Sequence, residues 1–263
     1  MTLSAPAHGL QRLAPSGPGP LYRQARRELQ RLVESGRYAP GDTLPSEGVL
    51  AGSLGVSIGT LRKAVDELVH EHVLVRRQGK GTFVALHNDE RFLFQFFHVE
   101  PREDFAAEGG PRPREYPLVE CVGFARGRAD EAEAAALRIR SGDAVIRMDN
   151  RLSLSGRPVV HDRIVVSAQL FKGLSEKRFL ERPGTIYHLY QRDHGITVLR
   201  ARERARATAA GRETARILGV PVGRPVLEVH RLALTFGDKP VEYRVSTVNT
   251  ASHDYVSLLS ERK

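Results

Sequence analysis

Residues 44–83, LPSEGVLAGSLGVSIGTLRKAVDELVHEHVLVRRQGKGTF, decide the fold of the N-terminal part of the chain. The Ser46 side chain can accept a hydrogen bond from the free amides of a following helix, so a short helix is predicted over residues 47–53. Gly55 ends that helix, and Ser57 is placed to cap a second one. The second helix is expected to turn one apolar face inward, consisting of Leu61, Val65 and Leu68.

The flanking segments extend this arrangement. Upstream, apolar residues of the stretch 21–36, LYRQARRELQRLVESG, recur at helical spacing, and Gly36 marks the end of the helix. Downstream, VLVRRQGKGTFVA alternates apolar and basic residues around Gly79-Lys80-Gly81, which predicts a hairpin with a glycine-rich tip. Two short helices joined by a tight turn and followed by such a hairpin are typical of a winged helix-turn-helix that binds duplex DNA.

The composition permits a nucleic-acid partner without identifying one. The net charge is +9 and the isoelectric point is about 10.0, but basic residues are spread over both halves of the chain. A length of 263 residues with 41% hydrophobic residues suffices for two cores. The single cysteine, Cys121, cannot form an intrachain disulfide, and we find no secretory signal and no membrane-spanning apolar run. We therefore expect a cytoplasmic protein with no membrane partner.

The periodicity changes along the chain and predicts its domains. Residues 1–19 are rich in Pro, Gly, Ala and Ser and are predicted to be a disordered leader. Residues 20–85 form the DNA-binding domain, and residues 86–90 form a polar linker. Over residues 91–258, several strands with β-branched residues alternate with helical patterns. These helices are expected at residues 129–137, 168–174, 185–194 and 207–218. The pattern predicts a two-domain α+β protein whose second domain contains an antiparallel sheet.

The first domain carries a series of short motifs: Pro20-Leu21-Tyr22, Pro40-Gly41, Leu44-Pro45-Ser46-Glu47, Gly55-Val56-Ser57, Thr60, Arg62 and Gly79-Lys80-Gly81-Thr82-Phe83. With them it resembles the DNA-binding domain of the GntR superfamily of transcription regulators. The resemblance implies a homodimer on a palindromic operator, with the second helix in the major groove and the hairpin tip near the minor groove. Gly48 and Ile58 depart from the family pattern, in which basic residues are usual at these positions. We expect Lys63 and the basic hairpin to compensate for part of that loss.

The candidate DNA contacts are Ser46, Ser57, Thr60, Arg62, Lys63, Arg76, Arg77, Gln78, Gly79, Lys80 and Gly81. Arg62 can offer two parallel hydrogen bonds to a guanine, or it contacts a phosphate, or it pairs with Asp66 four residues on. Ser57 and Thr60 can donate to phosphates at the helix N-terminus, although capping alone also explains Ser57. The basic hairpin residues either bind phosphates or form a solvated edge.

The second half carries looser motifs: Gly156-Arg157-Pro158, Phe171-Lys172-Gly173-Leu174, Leu218-Gly219-Val220, Gly223-Arg224-Pro225-Val226-Leu227 and Pro240-Val241-Glu242. With these, residues 91–256 resemble the UTRA ligand-sensing domain, which marks the HutC branch of GntR regulators and shares its fold with chorismate lyase. Ser167 departs from the pattern, because proline is frequent there. The resemblance implies a pocket lined by central strands, in which charged residues bind a small-molecule effector.

The candidate effector-binding residues are Arg147, Arg151, His161, Asp162, Arg163, Glu203, Glu242 and Arg244. Strand alternation places Glu242 and Arg244 on one face and Tyr243 on the other. Arginines mixed with carboxylates suit a carboxylated or phosphorylated metabolite that also bears hydroxyl or amine groups. The alternative for each residue is a solvated sheet face. His70 and His72 are two residues apart, and on a helix this spacing makes their side chains point apart. We therefore expect no metal, and we also expect no cofactor.

Two other functions fit parts of the pattern. An enzyme of the chorismate lyase kind would share the second fold, but it has no use for a DNA-binding module, and no nucleophile–base pair is visible. A non-specific architectural DNA binder would suit the isoelectric point, but not a capped recognition helix and a long sensor domain. The favoured interpretation is a sequence-specific regulator and not an enzyme. We expect it to repress, with an effector that alters the spacing of two DNA-binding domains.

Overall fold

The computed structural model describes residues 12–14, 19–86, 98–102 and 115–256. The chain divides into two compact units, Met1–Leu86 and His87–Lys263. Most of the predicted leader, most of the predicted linker and the strand expected from residue 91 lie outside the described residues. The division between the units falls within the segment 86–90 that the sequence analysis assigns to the linker.

The N-terminal unit is a winged helix-turn-helix, as predicted. Helix α1 covers Leu21–Glu34, α2 covers Glu47–Leu54 and α3 covers Ile58–His70. The hairpin consists of β1, Leu74–Arg77, and β2, Gly81–Val84, which pair antiparallel.

Two serines start the helices of the helix-turn-helix. Ser46 Oγ accepts a hydrogen bond from the Val49 amide at 3.4 Å, and Ser57 Oγ accepts one from the Thr60 amide at 3.1 Å. Caps of this kind stabilise a helix by about 1 kcal/mol each. The predicted inward face of α3 is confirmed by the burial of Leu61, Val65 and Leu68.

The C-terminal unit is built on a 6-stranded antiparallel sheet. Its strands are β4, Leu118–Arg128, β5, Ala144–Leu154, β6, Arg157–Ser167, β7, Arg200–Ala209, β8, Pro225–Leu234, and β9, Pro240–Val248. They lie in the order β4-β5-β6-β9-β8-β7. A separate pair joins β3, Val99–Pro101, to β10, His253–Tyr255. The predicted antiparallel α+β domain is confirmed.

Short helices connect the strands. They are α4, Glu131–Leu137, α5, Glu176–Leu180, α6, Ile186–His194, and α7, Arg212–Leu218. Asp130 and Glu133 form a reciprocal capping box at the start of α4. The Thr185 side chain caps α6 by accepting from the His188 amide at 3.1 Å.

Two helix predictions need correction, and one helix was missed. Residues 168–174 form turns rather than a helix, and Gly173, with a φ of 84°, cannot continue one. The helix predicted from residue 207 begins only at Arg212, because Ala207 is still paired with Leu227 in the sheet. The helix Glu176–Leu180, which Ser175 caps, was not predicted.

Both faces of the sheet are covered. One face packs against α6 and the turns before it, in a core that includes Met148, Phe171 and Tyr190. The other face packs against α4 in a core that includes Leu137 and Val165, and α7 also lies against β6. A side chain on either face of a central strand therefore points towards helices, and burial alone does not indicate which face carries a site.

Candidate functional site

Exposed cations of α3 and the hairpin form what we call the basic surface: Arg62, Lys63, Arg76, Arg77 and Lys80. The Arg62 side chain is 60% exposed, and its Nε lies 3.1 Å from Glu47 Oε2. Lys63 Nζ lies 4.0 Å from the centroid of the Tyr22 ring. Arg62 does not pair with Asp66, which pairs with Arg76 instead. Each of these contacts leaves the cation at the protein surface.

One carboxylate joins two of these cations. Glu47 Oε2 contacts Arg62, and Glu47 Oε1 lies 3.1 Å from Arg76 Nη2. Exposed ion pairs of this kind contribute only about 0–1 kcal/mol to stability. A phosphate can therefore replace Glu47 as the partner of either arginine at small energetic cost.

The hairpin tip is held in a tight turn by glycines. Gly79 has a φ of 70° and Gly81 a φ of 108°, conformations that side-chain-bearing residues rarely adopt. Gln78 and Lys80 are both exposed at this tip. Behind it, the Arg77 guanidinium lies 4.9 Å from the centroid of the Phe83 ring. The turn thus leaves Gln78 and Lys80 exposed at the tip of the hairpin.

The hydroxyl candidates lie at helix N-termini. Ser46 and Ser57 are exposed although both act as caps, and Ser57 Oγ lies 2.9 Å from Thr60 Oγ1. Helix N-termini favour anions through their free amides and the helix dipole. Capping and contact with a phosphate are therefore compatible at these positions.

A cavity of about 480 Å³ opens on the sheet face that α6 covers. Its walls come from β5, β6, β8 and β9, from the segment that leads into α6, and from β3 and β10. This volume lies within the roughly 300–1,000 Å³ typical of small-molecule sites. The polar side chains of the wall include Asn150, Asp162, Arg182, Arg231 and Arg244.

Arg244 is fixed by a closed network of buried groups. Its Nη1 donates to Asp162 Oδ2 at 3.0 Å, and its Nε donates to Glu242 Oε1 at 3.0 Å. Glu242 is fully buried and also accepts from the hydroxyls of Tyr187, at 3.1 Å, and Tyr190, at 2.8 Å. Burial lowers the pKa of Arg244, but the Glu242 charge raises it well above its ordinary value. Glu242 therefore lies behind Arg244 and positions it. Tyr243 is on the opposite face, as predicted.

Arg231 is positioned in a similar way. Its Nε donates to Glu203 Oε1 at 2.5 Å, and the Tyr255 hydroxyl donates to Glu203 Oε2. Burial raises the pKa of Glu203, but the Arg231 charge and the two hydrogen bonds bring that pKa below its ordinary value. Glu203 therefore acts behind Arg231 rather than as part of the cavity wall.

Two polar groups of the cavity wall lack partners. Arg182 Nε and Asn150 Oδ1 are buried without a hydrogen bond. The Arg182 guanidinium stacks 4.2 Å from the Phe179 ring centroid and donates through Nη1 to the Phe179 carbonyl. Burial lowers the pKa of Arg182, and among the described residues no carboxylate pairs with it. These atoms are an N–H donor of a guanidinium and an amide oxygen acceptor, and a ligand can satisfy both.

The remaining effector candidates lie on the opposite sheet face: Arg147, Arg151, His161 and Arg163. Arg147, for example, pairs with Glu133 of α4 at 2.6 Å. His161 Nδ1 lies 3.1 Å from Thr214 Oγ1 of α7. The structure does not bring these four side chains to the cavity.

Three cavity residues were missed from the sequence. Arg231 had a signal, because it alternates with Val229 and Ala233 at inward positions of a strand, where an arginine needs a partner. Asn150 also alternates with buried apolar residues in β5. Arg182 lies between short helices, and no periodicity marks it.

The part of the chain that the structure describes contains no group of three or more His, Cys, Asp or Glu side chains that could hold a metal ion. None of the helices described is both long enough and apolar enough to span a bilayer.

Two family models match this chain. The model of the UTRA domain matches residues 116–254, and the model of bacterial regulatory proteins of the gntR family matches residues 21–84. The two matches coincide with the sheet domain that holds the cavity and with the winged helix-turn-helix.

Curated relatives and a solved structure agree with these models. The chain is 29% identical over 217 residues to the HTH-type transcriptional repressor NagR of Bacillus subtilis, covering 81% of this chain and 84% of NagR. It is 33% identical over 130 residues to the histidine utilization repressor of Klebsiella aerogenes, covering 49% of this chain and 51% of that one. The ligand-binding domain of a GntR-family regulator from Bordetella bronchiseptica superposes with a TM-score of 0.56 at 32% identity, covering 63% of this chain and 98% of that domain.

The matched family models, the helix-turn-helix with its exposed cations and the cavity in the sheet domain lead to one assignment. The relatives are transcriptional repressors and not enzymes. The chain belongs to the GntR family of bacterial transcription regulators, in the HutC branch that joins a winged helix-turn-helix to a ligand-binding UTRA domain.

Proposed function

We propose that this regulator is a cytoplasmic, homodimeric repressor that binds a palindromic operator and releases it when an acidic metabolite occupies the cavity. The observation that carries the proposal is that two atoms in the cavity wall, Arg182 Nε and Asn150 Oδ1, are buried without a hydrogen-bond partner. A buried guanidinium N–H and a buried amide oxygen without hydrogen-bond partners are costly unless a ligand completes them.

The DNA-binding half of the proposal rests on the basic surface. Arg62 projects from a helix whose N-terminus is capped and exposed, and Glu47 restrains it only weakly. In helix-turn-helix proteins the second helix enters the major groove. The proposed DNA contacts are Ser46, Ser57, Thr60, Arg62, Lys63, Arg76, Arg77, Gln78, Gly79, Lys80 and Gly81.

The second part of the proposal concerns the effector and assigns a role to residues of the cavity. Arg182 would bind a carboxylate or phosphate, because a guanidinium forms strong paired hydrogen bonds with either group. Asn150 Oδ1 would accept a hydrogen bond from a hydroxyl or amine of the same molecule. Asp162, Arg231 and Arg244 complete the wall, while Glu203 and Glu242 position the two arginines.

Control of DNA binding would follow from linkage. In a dimer, an effector that prefers one arrangement of the UTRA domains changes the spacing of the two DNA-binding domains. Domains that no longer match half-sites about 34–36 Å apart lose operator affinity. The segment 86–90 joins the domains and would transmit the change.

Selection from a random duplex pool, followed by gel retardation, tests the proposal. The full chain is expected to enrich an inverted repeat whose half-site centres lie about one helical turn apart. A thermal-shift screen of carboxylated and phosphorylated metabolites is then expected to identify a ligand that raises the melting temperature and releases the selected duplex. If no inverted repeat is enriched, the proposal that the chain binds a palindromic operator is wrong. If a ligand raises the melting temperature but leaves gel retardation of the selected duplex unchanged, the proposed control of DNA binding by that ligand is wrong.

A further inference from the structure

An apolar side chain is exposed next to the cations of the basic surface. Among residues 12–14 and 19–86, the exposed large hydrophobic side chains are Val49 and Ile58, each 50% exposed. A single exposed hydrophobic residue is ordinary on a protein surface. The position of Ile58 makes it informative, because it is the first residue of α3 and follows the capping Ser57 directly.

Ile58 shares a helix face with Arg62. Residues four apart are neighbours on an α-helix, so the two side chains lie side by side at the N-terminal end of α3. Leu61 and Val65, three and seven residues on, border Ile58 on its other flank and are buried, so Ile58 lies at the edge between the buried and the exposed face. It is nevertheless 50% exposed. Any surface that Arg62 contacts from α3 is therefore also within reach of Ile58.

The partner of this face is argued from charge and from the chemistry of the major groove. The cations around Ile58 favour an anionic partner, and the helix N-terminus adds to that preference. The major groove of DNA is lined by charge and by hydrogen-bonding groups, and the thymine C5-methyl is the apolar group that it presents. A branched aliphatic side chain can bury that methyl but cannot satisfy a base edge.

We propose that Ile58 recognises a thymine through its C5-methyl group and so helps to determine the operator sequence. The inference rests on the proposed contact of α3 with bases. It predicts a thymine in each half-site next to the base or phosphate that Arg62 contacts. Where the family usually has a cation, this chain would exchange a charge contact for a methyl contact.

The test uses the duplex selected with the full chain and replaces each thymine in turn by deoxyuridine, which removes the methyl and keeps base pairing. For one thymine per half-site, the wild-type chain is expected to lose about fourfold in affinity, the equivalent of one buried methyl group. The variant Ile58→Ala is expected to bind the thymine and deoxyuridine duplexes equally. Val222→Ala, which truncates a 64% exposed valine of the other unit, is the control and should retain the wild-type loss.

The possible results separate the two claims. If a duplex is selected and no thymine is sensitive, or if Ile58→Ala keeps the same sensitivity as the wild type, Ile58 does not recognise a methyl group, and the DNA-binding function stands. If no duplex is selected, the proposed function fails first and the inference fails with it.

Discussion

Arginines form both the basic surface and the cavity, but the two regions hold them differently. On the basic surface, Arg62 and Arg76 share the partly exposed Glu47. In the cavity, Arg244 is bound by Glu242, which is fully buried and accepts two further hydrogen bonds. An exposed pair can exchange its carboxylate for a phosphate, whereas a buried pair fixes one geometry. The same residue type thus serves an exchangeable contact in one unit and a preorganised site in the other.

The largest effect is expected from removing the buried carboxylate. Glu242→Ala removes one of the two buried carboxylates that hold Arg244, together with the acceptor of two tyrosine hydroxyls, so we expect it to destabilise the C-terminal unit by about 3–5 kcal/mol. Glu47→Ala removes an exposed carboxylate and should change the free energy of unfolding by less than about 1 kcal/mol. Urea unfolding followed by circular dichroism measures both variants. Equal destabilisation would contradict the contrast between the two regions.

The next effect concerns Arg182, whose Nε lacks a hydrogen-bond partner in the cavity wall. Arg182→Ala should weaken binding of the stabilising metabolite by about tenfold to 100-fold, the range for losing a charged hydrogen bond. Arg151→Ala is the control, because Arg151 pairs with Glu120 on the opposite sheet face. Isothermal titration of both variants measures the difference. A larger loss for Arg151→Ala would move the site to the other face.

A pH-dependent effect is expected at Glu203. Its pKa in the folded protein lies below the ordinary value of 4.5, so its stabilising contribution is complete above that pH and is lost as the pH falls. The difference in unfolding free energy between the wild type and Glu203→Gln should therefore be constant near neutrality and shrink below about pH 4.5. A difference that grows on acidification would show that the Arg231–Glu203 pair does not stabilise the fold.

The smallest effect is expected at Gly59, in the helix α3 that carries part of the basic surface. A Cβ at Gly59 of α3 would meet only Ser57 Oγ, at 3.9 Å, so packing within the protein does not require glycine there. Gly59→Ala should stabilise the helix by about 0.5–1 kcal/mol and weaken operator binding, because the added methyl separates the backbone from DNA. Thermal melting and gel retardation together test this. An alanine variant with unchanged operator affinity would place Gly59 away from the DNA.

The two regions also differ in what their sequence could predict. The fold of the N-terminal unit can be predicted from local signals. The caps Ser46 and Ser57 and the hairpin glycines act within a few residues of their own position. Each of these signals is complete in a short stretch of chain. The positions of the helices and the hairpin could therefore be predicted almost in full.

The cavity depends on contacts that are distant in sequence. Alternation correctly grouped Glu242 with Arg244, but it could not tell which sheet face carries the cavity, since helices cover both. For that reason His161 and its neighbours on the opposite face were candidates alongside Asp162. Arg182 is not part of any hydrophobic periodicity in the sequence, and only the tertiary fold places it in the cavity wall.

The central claim is that α3 binds the operator through its exposed arginine, and one comparison tests it most directly. Arg62 is 60% exposed and pairs with one glutamate; Arg31 of α1 is 57% exposed and also pairs with one, Glu28. The affinities of Arg62→Ala and Arg31→Ala for the selected duplex should be measured at one fixed salt concentration. We expect Arg62→Ala to lose at least about tenfold and Arg31→Ala to bind as the wild type does. Equal affinities for the two variants would contradict the account.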